Sequence, residues 1–223
     1  MTLQELIRRF RALSHDRRAS PFWADEDLMD WLNDAQAQAC VRARLIREDA
    51  RREVCRIGLS PARHTYALHP SVFEIIHLRL VPLVPEGRTR HVRLVSRELL
   101  DAEQPDWRDD ERPASRAIQD DTSLRVVGAI QEGDALMLEC YRLPLEPMQS
   151  MSDEPEIHPA HHEHLIQWAL HKAFSVPDAE GFDPARSALA EQAFTAYFGP
   201  SPGSDMRRIT REDVGHYTRA ILQ

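Results

Sequence analysis

Apolar residues recur at helical spacing through the first fifty positions, alternate through the next ninety, and return to helical spacing from about Glu156. Thr2-Leu3-Gln4-Glu5 has the form of a capping box, and Leu3, Leu6, Ile7, Phe10 and Leu13 follow along one face. That spacing predicts an amphipathic helix over 2–13. A polar loop over 14–22 precedes a longer helix, with Asp25 as its expected cap and Glu26 and Asp27 in an acidic first turn that suits the helix dipole. Its stripe reads Leu28, Trp31/Leu32, Ala35, Ala39, Ala43 and Ile46, and the alanines imply a close neighbouring helix. Arg42, Arg44, Arg47, Arg51 and Arg52 thicken the helix end, where the dipole is negative, and read as a solvated face rather than a DNA patch.

From about Val54 to Leu143 the period falls to two. Candidate strands lie at 54–57, 64–68, 72–83, 90–95, 124–127 and 136–143. Glu132-Gly133-Asp134 supplies a turn between the last two, and Gly87 breaks the chain before 90–95. A single helical turn is expected over 96–100, then a long loop over 101–115 anchored by Trp107. Loops of that length usually mark interaction surfaces or disorder.

The stretch 156–199 reads as two helices joined by a short turn. The first, over 159–175, carries Leu165, Ile166, Trp168, Ala169, Leu170, Ala173 and Phe174, an arc wider than a surface helix needs. Pro159 suits its first turn and Val176-Pro177-Asp178 stops it. The second opens with Asp183 as N-cap and Pro184 at its first position, presents Leu189, Ala193, Phe194 and Tyr197/Phe198, and ends at Gly199-Pro200. Such a hairpin cannot bury both faces alone, so other parts of the chain or other chains must cover it. Beyond a Pro/Gly linker at 199–204, Thr210 and Asp213 cap a short helix with one narrow stripe, Val214, Tyr217 and Ile221. A helix that short is marginal alone, which suits docking on its own core or on a neighbour.

The pattern predicts an α+β protein. Two N-terminal helices (1–53) and the αα-hairpin with its leading linker (144–199) form a helical bundle. A mainly antiparallel β subdomain (54–143) is inserted between them, and 200–223 carries a linker and a C-terminal docking helix. No apolar run is long enough to span a bilayer and the N-terminus has no apolar signal region, so a cytoplasmic protein without membrane contact is expected. The net charge is −8, yet Lys172 is the only lysine. An acidic chain with interspersed arginine is poorly suited to gripping phosphates and well suited to Arg–carboxylate contacts between copies of itself.

Candidate chemistry is sparse. Cys40, Cys55 and Cys140 lie far apart, which argues against a disulfide framework and a cysteine-based zinc site. His158, His161, His162 and His164, with His171 two turns on, have pairwise helical spacing that could hold zinc or iron. They do not fit the His-Glu-x-x-His pattern, and neutral imidazoles at a helix start can instead accept from free N–H groups. No Gly-rich phosphate cradle and no Gly-x-Ser-x-Gly turn is present, and Asp109-Asp110-Glu111 and Asp120-Asp121 lack calcium-loop spacing. The expectation is a chain with no catalytic residues, metal or cofactor.

A series of segments then resembles the head-to-tail connector (adaptor, or tail tubular) proteins of tailed bacteriophages. It runs Trp23-Ala24-Asp25-Glu26-Asp27-Leu28, Trp31-Leu32-Asn33-Asp34-Ala35-Gln36, Tyr66-Ala67-Leu68-His69-Pro70, and Leu99-Leu100-Asp101 leading to Pro105-Asp106-Trp107-Arg108. It continues through Glu154-Pro155-Glu156-Ile157, His161-His162-Glu163-His164-Leu165, Trp168-Ala169-Leu170-His171-Lys172-Ala173-Phe174 and Pro177-Asp178-Ala179-Glu180, and ends at Phe198-Gly199 followed by Arg207-Arg208. The resemblance covers almost the whole chain in order. It implies a structural virion protein of the neck, made in the host cytoplasm and assembled as a ring, commonly of twelve copies. Its partners would be the portal protein and a tail or nozzle protein, with double-stranded DNA passing through unbound during genome ejection. Trp107, Arg207, Arg208, Val214, Tyr217 and Ile221 are the expected interface residues. The alternatives are a small metal-dependent hydrolase or oxidase built on the His158–His164 cluster, and a DNA-packaging or regulatory factor.

Overall fold

The computed structural model describes residues 1–83, 87–177 and 181–203. In chain order the described elements are α1 (Leu3–Ser14), α2 (Asp25–Ala43), β1 (Arg47–Glu48), α3 (Arg52–Cys55), β2 (Arg56–Gly58), β3 (Thr65–Ala67), β4 (Val72–Val81), β5 (Arg90–His91) and β6 (Arg93–Leu94). Then come α4 (Arg97–Glu103), β7 (Arg116–Gln119), β8 (Ser123–Val127), β9 (Ala135–Arg142), α5 (His162–Ser175) and α6 (Pro184–Phe198), with single 3-10 turns at Trp107–Asp109 and Pro159–His161. The protein is α+β. Two compact units emerge, a helical one from Met1–Ile46 with Arg142–Pro202 and a second that takes in Arg47–Tyr141.

In the helical unit, α5 is the central element, with Leu165, Ile166, Trp168, Ala169, Leu170, Ala173 and Phe174 all buried. α1, α2 and α6 pack around it. α1 begins at the expected capping box: Thr2 Oγ1 accepts from Glu5 N, and Glu5 Oε2 accepts from Thr2 N. α2 departs from expectation at both ends. Its N-cap is Ala24, with no side-chain cap, and Asp25 instead pairs with Arg11 at 2.5 Å. It stops at Ala43 because Arg44 turns left-handed (φ 52°), so of the five arginines only Arg42 lies in its last turn. Arg42 lies 4.9 Å from the Trp168 ring and 5.1 Å from that of Phe194, and donates to Thr195 Oγ1.

Several buried polar groups in this unit are matched, whereas Arg42 Nε, beneath the aromatic rings, has no hydrogen-bond partner. Asp16, 3% exposed at its side chain, accepts from Arg11 Nη1, Phe22 N and Trp23 N and so folds the 15–24 connection. Phe10, Trp23 and Phe174 then meet edge to face at 5.5 Å. Trp168 Nε1 donates to Asp34 at 2.8 Å. Cys40 is sealed in the same core, where burial pushes its thiol pKa up to about 12 and removes it from thiol chemistry at neutral pH.

The second unit holds two sheets. One has the order β1-β9-β4-β5, with β2 also pairing β9; the other has the order β3-β8-β7-β6. The β1–β9, β2–β9, β3–β8, β4–β5 and β7–β8 pairs are antiparallel, whereas β6–β7 runs parallel with Arg93 opposite Arg116 and Leu94 opposite Ala117. The segment expected as one strand over 90–95 is therefore two, one in each sheet, divided at Val92. The segment expected as a strand over 54–57 begins instead as the helical turn α3. β1 and β7 were not expected from the pattern. β1 is two residues long, too short to show a period, and β7 reads Arg-Ala-Ile-Gln with Ala, Ile and Gln all buried, so it does not alternate.

The buried stripe of α6 is Ser187, Ala190, Phe194 and Phe198, and Leu189, expected inward, is 66% exposed. Phe194→Ala should therefore cost about 3–5 kcal/mol. Leu189→Ala should stay within about 0.5 kcal/mol of wild type in the isolated chain, both read by urea denaturation.

Candidate interaction surfaces

Asp183 starts α6 by accepting from Ala185 N and Arg186 N, and Pro184 takes the first helical position. That start fixes the helix's rotation and leaves Ala185, Ala188, Leu189, Gln192, Ala193 and Ala196 exposed. These positions follow i, i+3, i+4, i+7, i+8, i+11 spacing and form a second stripe opposite the buried one. Gln192 is its only polar member. A helix apolar on both sides is normally covered on both sides, and among the described residues nothing covers the second side.

Beside that stripe lies the histidine stretch, each member with a defined partner or packing contact. His158 Nδ1 accepts from Ala160 N as the cap of the 3-10 turn. His162, fully buried, donates from Nε2 to the Ile157 carbonyl at 2.8 Å, which leaves Nδ1 to accept from the amino group of Met1. His161 Nδ1 lies 3.1 Å from the Tyr197 hydroxyl, and His164 stacks on the Tyr197 ring with centroids 3.4 Å apart. Burial, then the neighbouring His158, His164 and His162, hold the His161 pKa below its usual value and favour the neutral imidazole. These imidazoles tie the start of α5 to the end of α6. Among the described residues no group of three or more His, Cys, Asp and Glu side chains is arranged to hold a metal ion.

In the second unit, the segment expected as a loop is an ordered strap. Ser96 caps α4, which continues to Glu103, and the 3-10 turn then drives Trp107 into a small core with Val95, Leu100, Ile118 and Val127. Trp107 Nε1 donates to Asp101, as does Arg108 Nη1, and the Arg108 guanidinium covers the ring at 4.3 Å. The Asp101 pKa is lowered by these two bonds, that from Arg108 first. Asp110 takes a bidentate pair from Arg112 (Nε 2.8 Å, Nη2 2.9 Å), and Gln104 accepts from both Arg112 and Arg116. The Arg112 hydrogen bond holds the Asp110 carboxyl well below the usual carboxylate range. Ala129 N donates to the Arg112 carbonyl at 2.7 Å, closing the strap on β8. Gly128 (φ 105°) permits that closure, because a Cβ there would meet the Arg112 carbonyl oxygen at 2.5 Å.

A family model for the SU10 adaptor protein matches residues 1–217, nearly the whole chain. The chain belongs to the SU10 adaptor protein family. No curated protein matches it. Adaptors of this family are phage structural proteins rather than enzymes, they associate with other phage head and tail proteins, and they are components of the virion. Among the described residues no helix is long and apolar enough to cross a membrane.

Of the residues expected at an adaptor interface, Trp107 is 1% exposed and props up the strap from beneath. The exposed surface over it belongs to Arg108 and Asp101. Arg207, Arg208, Val214, Tyr217 and Ile221 lie outside the described residues. The Asp110–Arg112–Gln104–Arg116 cluster had no periodic signal in the sequence. The open face of α6 was legible in principle, because Ala185, Ala188, Leu189, Ala193 and Ala196 keep helical spacing beside the Phe194/Phe198 stripe.

Asp110 gives a pH test of the strap. A folded pKa below the unfolded value of about 3.9 stabilises fully above that value and loses its effect as pH falls towards the folded pKa. Asp110→Asn should lower the urea midpoint at neutral pH. The gap from wild type should be flat down to about pH 5 and close below about pH 4.

Proposed function

We propose that this adaptor assembles as a ring, commonly of twelve copies, beneath the portal, where it joins the portal to the tail or nozzle and extends the DNA channel in the virion neck. The open apolar face of α6 carries this reading. Its members from Ala185 to Ala196 carry no charge and run most of the length of a helix about 22 Å long, so it suits the side of a neighbouring subunit. In a closed ring each copy meets its neighbours through two different surfaces, and α6 would supply one of them. A single helix face is far smaller than the roughly 800 Å² per partner of a standard interface, which fits a chain that stays soluble until a template gathers copies.

The segment after Gly203 supports a second contact. Val214, Tyr217 and Ile221 share one helical stripe in the sequence, and Arg207 and Arg208 precede it, a pattern suited to clipping onto the portal or an adjacent subunit. The strap over Trp107 would offer Arg108 and Asp101 to a third surface. A net charge of −8 suits a channel through which DNA passes without adhering, since few phosphates would be neutralised.

Electron microscopy of the protein mixed with purified portal tests the assembly. Rings capping the portal vertex are expected with wild type. Leu189→Arg should fold normally and lose them, and truncation after Gly203 should weaken portal attachment. No ring with wild type at any ratio would remove the reading, and unaltered rings with Leu189→Arg would move the subunit contact away from α6.

A further inference from the structure

β4 and β5 form an antiparallel ladder with Arg79 opposite His91 and Leu80 opposite Arg90, and β5 is the edge strand of its sheet. Leu78, Leu80 and Val92 face inward, while His77, Arg79 and His91 are exposed. His77 therefore lies diagonal to His91 on the outer side. Its Nε2 is 3.2 Å from Nδ1 of His91, with ring centroids 4.9 Å apart and planes inclined by 31°.

One N–H···N bond between neutral imidazoles accounts for that distance. It is also a chelate bite. Metal–nitrogen bonds of about 2.0–2.1 Å place two ligands roughly 2.9 Å apart in a square-planar set and roughly 3.3 Å apart in a tetrahedral one. A neutral imidazole can carry its proton on the remote nitrogen, so both facing nitrogens can present lone pairs to one ion. We propose that His77 and His91 form a two-imidazole site for a divalent first-row transition ion, which pins the edge strand β5 to β4.

The pair is separate from the histidines around the start of α5, which have the partners and packing contacts described above. Among the described residues no third His, Cys, Asp or Glu completes a ligand set here. Two imidazoles favour Cu²⁺, Ni²⁺ and Zn²⁺, which accept nitrogen, over Mg²⁺ and Ca²⁺, which require oxygen, although the Arg79 charge opposite His91 works against any cation.

Calorimetric titration of the full chain with CuCl₂, NiCl₂, ZnCl₂ and MgCl₂ tests this, with wild type beside His77→Ala, His91→Ala and His161→Ala. One site is expected with Cu²⁺ tightest and Mg²⁺ silent, weakened roughly tenfold or more by either of the first two changes and unmoved by the third. Circular dichroism checks the fold of each variant. Should one fail to fold, broadening of the His77 and His91 imidazole NMR signals by substoichiometric Cu²⁺ in wild type decides the matter. An isotherm indifferent to His77→Ala and His91→Ala, a site lost instead with His161→Ala, or Cu²⁺ that leaves both imidazole signals sharp would overturn the proposal.

Discussion

The helical unit is governed by the burial of α5. Eight of its fourteen residues are buried, and apolar side chains project on most sides of its axis. Each large apolar side chain among them, such as Leu165, Ile166 or Phe174, contributes about 1.5–3 kcal/mol when removed from water, so α1, α2 and α6 have to close around the helix together. This constraint explains the close approach of α2 through Leu32, Ala35 and Ala39, and the aromatic corner of Phe10, Trp23 and Phe174. It explains the open face of α6 as well. Once Phe194 and Phe198 are committed to α5, the other apolar stripe of α6 points away from the core.

Polar side chains settle the details that apolar burial leaves loose. Asn33 clamps the linker before α5 by donating to the Met148 carbonyl and accepting from Met148 N, as a strand neighbour would. Arg142 and Glu156 pair at 2.5 Å with the arginine 4% exposed, and Gln36 accepts from Glu156 N. Only the arginine is buried, so losing Glu156 would leave a buried charge short of its carboxylate, and the pair thus specifies where the chain re-enters the helical unit. In the second unit the carboxylates of Asp101 and Asp110 do similar work for the strap over Trp107. Arginine suits both places because its guanidinium can bind a carboxylate in a fixed planar geometry and also lie over a ring.

Membership in an adaptor family gives these features a common sense. A structural part of a virion acts through its surfaces, so its informative residues are those left exposed against expectation, such as Leu189, Ala193 and Tyr197 on α6. The histidines at the start of α5 suggest a metal site only while their sequence is read alone. In the fold they cap a turn, hold the 157 carbonyl and stack on Tyr197, which is a packing role.

Periodicity by itself determined the four long helices, α1, α2, α5 and α6, and the longer strands. The capping box at Thr2, the Asp183-Pro184 start, the Gly199-Pro200 stop and the alternation through β4, β8 and β9 are local signals, set by backbone geometry within a few residues. Near-complete likeness along the chain also made the adaptor family legible from residue order. Only the tertiary structure decided which of two apolar stripes on α6 turns inward, that Asp25 pairs with Arg11 rather than capping α2, that 90–95 divides between two sheets, and that Asp110, Arg112, Gln104 and Arg116 converge. Those outcomes depend on partners far away in sequence, where burial and hydrogen-bond satisfaction outweigh local propensity, and no window of neighbouring residues contains them.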